Sequence, residues 1–259
     1  MVLSFDSVSI CSIAFLAGFV DAIAGGGGLI QIPGLFFLFP QVPVVNLLGT
    51  NKLASFSGTL MASFHYLKAM KIPARKVYPM MLASFLCSLG GAFLVTRMHN
   101  QQLKPIIFVL LIVIAIYAFL KKDFGHHRKI RFSERQCQYL AILIAAMMGF
   151  YDGFLGPGTG SILIFVFVSC LGFDFLMGSA YAKLCNLSSN LAALIFFMTT
   201  GHVLYLMGLL MAAFNVFGNL LGAKLAISKG SRFVRYIFLL VILGILIQMM
   251  FHYWEHHSF

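Results

Sequence analysis

The sequence predicts an all-α, polytopic membrane protein, and three observations carry that prediction. The 259 residues are 61% hydrophobic and only 10% charged, against roughly half and a quarter in soluble domains. The apolar residues run in blocks and do not alternate, which suits helices and not barrel strands. A hydrocarbon core about 30 Å thick takes ~20 apolar residues per helix, so the chain holds roughly eight to ten spans and little soluble mass. A water-soluble enzyme, a disordered chain and a secreted disulfide scaffold are excluded. The five cysteines (Cys11, Cys87, Cys137, Cys170, Cys185) are scattered, without a CxxC, and all but Cys137 read as buried thiols. The formal charge of +11 sits in short loops, where it orients the chain in the bilayer, so no nucleic-acid partner is expected.

Apolar runs between polar breaks give five segments in each half. The first half has 8–23, ended by the glycines at 25–28, then 29–39, ended by Pro40, and 44–67, which begins after Pro43 and ends at Lys68. Next come 77–96, between Lys76 and Arg97, and 105–120, between Lys104 and Lys121. The second half repeats the series as 137–151, 158–172, 177–199, 204–226 and 233–251. KKDFGHHRKIRFSER at 121–135 is the one long polar connector. The expected organisation is therefore membrane repeat 1 over 1–120, a basic connector over 121–135 and membrane repeat 2 over 136–259. Ala22-Ile23-Ala24 imitates a signal-peptidase site, but no Lys or Arg precedes the apolar stretch and Asp21 adjoins it, so no signal peptide is expected.

The halves are copies. GFVDAIAGGGG at 18–28 aligns with GFYDGFLGPGT at 149–159, an offset of 131 residues. The same offset pairs Asp21 with Asp152, Gly25 with Gly156, Lys52 with Lys183, Ser57 with Ser188 and Gly91 with Gly222. Loop charge then reverses between the copies. Lys68, Lys71, Arg75 and Lys76 follow the third segment, whereas the equivalent 199–207 holds only His202. Lys224, Lys229, Arg232 and Arg235 follow the ninth, whereas 97–104 holds Arg97 and Lys104. With both termini outside and the connector in the cytoplasm, fourteen Lys/Arg face inward and two outward. The positive-inside rule thus predicts inverted repeats, a hallmark of secondary transporters. An odd number of crossings per half agrees: five, or three if the first two segments form a re-entrant pair.

Four charges lie away from loops and segment ends: Asp21, Lys52, Asp152 and Lys183. Each costs about 2.5–3.5 kcal/mol at a helix centre, so each needs a reason. Salt bridges that hold the halves together are one, and a site is the other. Lys52, Ser55 and Thr59 share a helical face, and Lys183, Asn186 and Asn190 repeat that spacing. One cation with hydrogen-bond donors in an apolar bundle suits a small desolvated anion. Gly25, Gly26, Gly27 and Gly28, and Gly156-Pro157-Gly158-Thr159-Gly160, should break the chain at membrane depth. The helices that restart there aim free N–H groups and a positive dipole end into the break. Close packing through small residues is the competing account of the glycines. In the site reading, Asp21 and Asp152 neutralise the lysines when the site is empty and take up protons as the anion arrives.

No cofactor is expected and no P-loop occurs, which leaves an ion gradient or the membrane potential as the driving force. His252-Tyr253-Trp254-Glu255-His256 has the HxxEH pattern, but it lies in the last eight residues with no chain left for a further ligand, so it reads as chance. His126 and His127 read as solvated. The alternatives to an anion transporter are an intramembrane enzyme, such as a lipid-phosphate hydrolase, and a structural membrane subunit. Hydrolysis would call for more acid, base or nucleophilic groups than two Asp and two Lys provide.

GFVDAIAGGGGLIQIP followed by TNKLASFSG, and GFYDGFLGPGTGS followed by AKLCNLSSN, resemble the TauE/SafE sulfite exporter family, also called the toluene-sulfonate uptake permease (TSUP) family. Within it, the motifs are similar to the YfcA-like branch of probable membrane transporters. The resemblance covers nearly the whole chain. It implies a bacterial inner-membrane protein linked to transport of sulfite, sulfonates or related sulfur-containing anions. It also implies importance for Asp21, Gly25–Gly28, Asn51 and Lys52, and for Asp152, Gly156, Gly158, Gly160, Lys183 and Asn186. Pro157 and Thr159 replace glycines of the first half, and Ala182 stands where Asn51 has its equivalent, so the half-sites are expected to be unequal. The partners implied are a small anion and the lipid bilayer. Self-association into a homo-oligomer stays open.

Overall fold

The computed structural model describes residues 2–229, apart from 71, 104, 108, 111, 112 and 114–132. Residues 121–132 of the connector, the segment 233–251 and the His252–His256 pattern lie outside the described residues. Every regular element among the described residues is helical. They are α1 (Val2–Ala24), α2 (Gly27–Leu38), α3 (Val44–Ala69), α4 (Ala74–Thr96), α5 (Glu134–Phe154), α6 (Thr159–Leu171), α7 (Phe175–Thr199) and α8 (Tyr205–Lys229). Each coincides with an apolar run of the sequence, because glycine, proline and charge are what end a helix in a bundle otherwise built from apolar side chains. Described residues between 100 and 113 are helical too.

Among the described residues, five helices are long and apolar enough to cross a membrane: α4, α5, α7, α8 and the Ser7–Ala24 part of α1. Their outward faces carry exposed Leu82, Leu86 and Phe93, Leu143 and Met147, and Leu206, Leu209 and Phe217. An apolar belt of this extent belongs against lipid, not water. By contrast α2 has 12 residues and α6 has 13; at 1.5 Å per residue these reach only about 18–20 Å. Neither spans ~30 Å of hydrocarbon by itself. α2 folds back along α1: Gly27 lies against Ala17 and Asp21, and Gly34 against Ile13.

The helices of one half pack on those of the other, and the contacts obey the 131-residue offset. A methyl on Gly149 (α5) would collide with the Ser84 carbonyl (α4), and one on Gly18 (α1) with the Asn215 carbonyl (α8). Gly91 meets the Phe150 carbonyl in the same way as Gly222 meets that of Phe19. Small residues here let backbones touch, which is how helices associate when lipid offers no hydrophobic drive. In the centre α3 lies along α7 in the opposite sense. Lys52 Nζ is 3.1 Å from Asn190 Oδ1, whereas Ser63, about three turns further along α3, reaches the Lys183 carbonyl at 3.5 Å. These two equivalent helices are therefore antiparallel neighbours.

Candidate functional site

α1 stops at Gly25 and α5 at Gly156, both in left-handed backbone (φ +70° and +90°) that side chains resist. The two breaks touch tip to tip. Gly25 and Gly160 are in backbone contact, and Gly28 stands against Pro157. Carbonyls freed by a break must find donors where water is absent. Ser161 supplies two for the first, with Oγ donating to the Ala24 carbonyl (2.9 Å) and N–H to that of Gly25 (3.0 Å). Tyr66 donates to the Ala22 carbonyl at 3.0 Å. At the second break Tyr151 donates to the Pro157 carbonyl (2.6 Å) and the Thr159 hydroxyl to that of Gly156 (2.9 Å).

The expected donors change in one respect. The N–H groups of Thr159 and Ser161 are spent on the Gly156 and Gly25 carbonyls, so the second break offers fewer free N–H groups than its glycines suggest. Even so, neither α2, which starts after Gly26, nor α6, which starts after Gly158, has a side-chain cap, whereas α5 and α7 are capped by Ser133 and Asp174. Pro43 and Pro73 before α3 and α4 provide no side-chain cap either; what sets the starts of α2 and α6 apart is their place at the two touching breaks, where their positive dipole ends face the interior.

Beside these tips sit all four unusual charges, in two pairs that cross between the halves. Lys52 Nζ of α3 lies 2.9 Å from Asp152 Oδ2 of α5, and Lys183 Nζ of α7 lies 2.5 Å from Asp21 Oδ2 of α1. The third polar partner also follows the offset. Asn190 Oδ1 accepts from Lys52 at 3.1 Å, and the Thr59 hydroxyl donates to Asp21 at 3.4 Å. Asn186 extends the first set by accepting from Asn190 Nδ2 at 3.1 Å. Ser55, the equivalent of Asn186, is half-buried. Gly27 lies against Asp21, and a Cβ on Gly156 would stand 3.0 Å from Lys52 Nζ. Asn51 is buried with Oδ1 unpartnered, and Asp152 Oδ2 receives no well-directed hydrogen bond although Lys52 is close.

Chemically, this arrangement holds two cations next to helix starts, each neutralised by a carboxylate that a proton could release. Charge and spacing in the sequence led to those four residues. Ser161, Tyr66 and Tyr151, which tie off the breaks, and Gln31, Asn215 and Asn219 on α2 and α8 were not among the expected site residues. The signal for Asn215 and Asn219 was their i, i+4 spacing in an apolar run, at the offset from Ser84 and Ser88.

Known proteins are similar to this chain in sequence. The pattern of the family described as Sulfite exporter TauE/SafE matches residues 10–249. The chain belongs to the sulfite exporter TauE/SafE family. Its relatives there include a probable membrane transporter protein of Haemophilus influenzae, 36% identical over 225 residues, covering 86% of each chain. Another is the probable membrane transporter protein ORF9 of a Sinorhizobium species, 36% identical over 241 residues, 92% of this chain and 89% of that one. The probable membrane transporter protein YfcA of Escherichia coli is 33% identical over 225 residues, 86% and 81% of the two chains. No solved structure matches the chain. Membership in a membrane transporter family and the apolar helices agree on a multi-pass membrane protein.

Proposed function

We propose that the chain is a secondary transporter of small anions, with sulfite, a sulfonate or a related sulfur-containing organic anion as cargo, in the inner membrane. The observation that carries this is the pair of buried, reciprocal Asp–Lys contacts placed against two helix breaks that meet between the halves. An anion that takes the place of a carboxylate at Lys52 or Lys183 keeps the charge balance once that carboxylate is protonated. Proton uptake by Asp21 or Asp152 is then linked to anion binding, and the gradient of one drives the other. The family's description and the relatives' names support transport and the sulfur-containing class.

Purified protein in liposomes, offered labelled sulfite, an alkyl sulfonate, sulfate and chloride at stepped pH, tests this. Movement of at least one sulfur oxyanion, faster when the cis side is acidic, is the expected result. No movement of any of them, with no binding in detergent, would refute it. The crossed pairs favour one second reading, a pure clamp between halves, which predicts no cargo.

The topology in this proposal has the repeats inverted, α1–α2 and α5–α6 entering from opposite faces, and the connector cytoplasmic. The antiparallel course of α3 and α7 supports it, as does the reversal of loop charge. Lys68→Cys and Thr199→Cys place thiols at equivalent, exposed positions; neighbouring Gly201 is unsuitable because its φ is +73°. An impermeant maleimide should reach the first only from inside and the second only from outside. Labelling of both from one side would sink the inversion.

A further inference from the structure

We propose that the two Asp–Lys pairs are unequal: Asp21 exchanges its proton with water, through a lining made by the amides of Gln31, Asn215 and Asn219, while Asp152 stays sealed. This rests on the proton-coupled reading above. The amides form a chain between α2, α1 and α8. Asn215 Nδ2 donates to Gln31 Oε1 at 3.0 Å and to the Ala14 carbonyl at 3.2 Å. Asn219 Nδ2 donates to Asn215 Oδ1 at 2.8 Å and to the Asn215 carbonyl at 3.1 Å. All three side chains are buried, yet Gln31 Nε2 and Asn219 Oδ1 have no partner. One is a donor and the other an acceptor. A buried polar group left unpaired is costly, and a water molecule supplies both complements. Both atoms are closed off in this conformation, so that water enters with a movement of α8 against α2.

Among the described residues the other half has no such amide cluster: its unpaired acceptor, Asp152 Oδ2, lies 2.9 Å from the Lys52 ammonium. Its equivalents of Gln31, Asn215 and Asn219 are Ile162, Ser84 and Ser88. Those serine hydroxyls donate to the Cys185 and Ser189 carbonyls at 3.1 and 2.7 Å. A second, independent asymmetry points the same way: the Asp21 side chain is 13% accessible and that of Asp152 3%. The cluster also adjoins Asp21. Gly27, one turn before Gln31, lies against the Asp21 side chain, and Gly58, next to Thr59, lies against the Asn215 and Asn219 amides. Facing Asp21 are Lys183, Lys52 and the Tyr66 phenol. α2 and α6 contain no charged residue, and on α8 Lys224 and Lys229 are exposed.

An apolar carbodiimide modifies buried carboxyls in the protonated form, and peptide mass spectrometry reads which one. The modification is scored as the acylurea or as the amide to Lys183, the carbodiimide leaving as its urea. In the full-length protein, Asp21 should be modified at least tenfold more than Asp152, and less as pH rises. The triple variant Gln31→Ile, Asn215→Ser, Asn219→Ser gives this half the residues that the other half already packs. It should lower Asp21 modification at least tenfold and leave Asp152 unchanged. If the triple variant does not fold, Asn219→Ser alone, which removes the unpaired acceptor, is read in the same way. Equal modification of the two carboxyls, none at Asp21, or an Asp21 yield unchanged in a folded variant would overturn the inference. Uptake measured in the same liposomes separates the two levels. pH-dependent uptake with equal modification rejects only this inference, and anion uptake indifferent to pH rejects the coupling it rests on.

Discussion

Neutralising a whole ion pair, as Lys52→Met with Asp152→Asn or Lys183→Met with Asp21→Asn, is expected to abolish anion transport, by at least 100-fold, in a protein that still folds. The choice of double variants follows from burial. Each lysine is at most 3% exposed and each pair joins different halves. Lys52→Ala alone would strand the Asp152 carboxylate, a loss of about 3–5 kcal/mol. Replacing both partners removes the desolvation cost together with the attraction, and such exchanges are often neutral or stabilising by about 1–4 kcal/mol. At the Lys52 pair a smaller cost remains, because Asn190 Oδ1 loses its donor, about 1 kcal/mol. A transporter that uses the lysines as anion contacts then folds and fails. A clamp without cargo would leave every transport signal where it was. Asp21→Asn with Asp152→Asn strands both lysines and so is destabilised unless anion is present to pair with them. Kept in anion, it adds a separate check: uptake should lose its dependence on pH while anion binding persists at the two lysines. Melting in detergent and liposome flux, measured on the same preparations, decide between these outcomes.

The elements were legible in the sequence because a membrane chain punctuates itself: Pro43, Lys68, Arg97, Asp174 and Gly172 mark ends that the helices respect. The four central charges were legible for the same reason, since ionised groups in an apolar run need a cause. The constant offset reported that the halves were related, but not which Asp meets which Lys. A two-fold relation is satisfied equally by pairs within halves and by pairs across them. Only packing decides, and α3 lying along α7 brings the lysine of each half to the carboxylate of the other. Uncharged polar residues were harder to find. Gln31, Asn215, Ser161 and Tyr66 carry no charge, so they disturb hydropathy little, and their purpose appears only when the donors and acceptors around the breaks are matched one by one. The N–H groups at the second break misled in the opposite direction: they exist, but Gly25 of the other half already holds one.

Gly25→Ala should produce the second large effect, a loss of about 2–5 kcal/mol in stability together with loss of transport. Two costs combine there. At φ +70° a side chain enters left-handed backbone, at about 1–2 kcal/mol. The added methyl would also fall on the Gly160 backbone, which has no side-chain end that can swing away, and overpacking of this kind costs about 1–3 kcal/mol. Gly201→Ala isolates the first cost. Its φ is +73°, nearly the same, but no atom lies within 4 Å of the added carbon. It should lose only about 1–2 kcal/mol and transport normally, being far in sequence from either break. The comparison separates strain from contact at the tips. Were Gly25→Ala no worse than Gly201→Ala in melting and in flux, the backbone contact between the two breaks would not be what holds the site together.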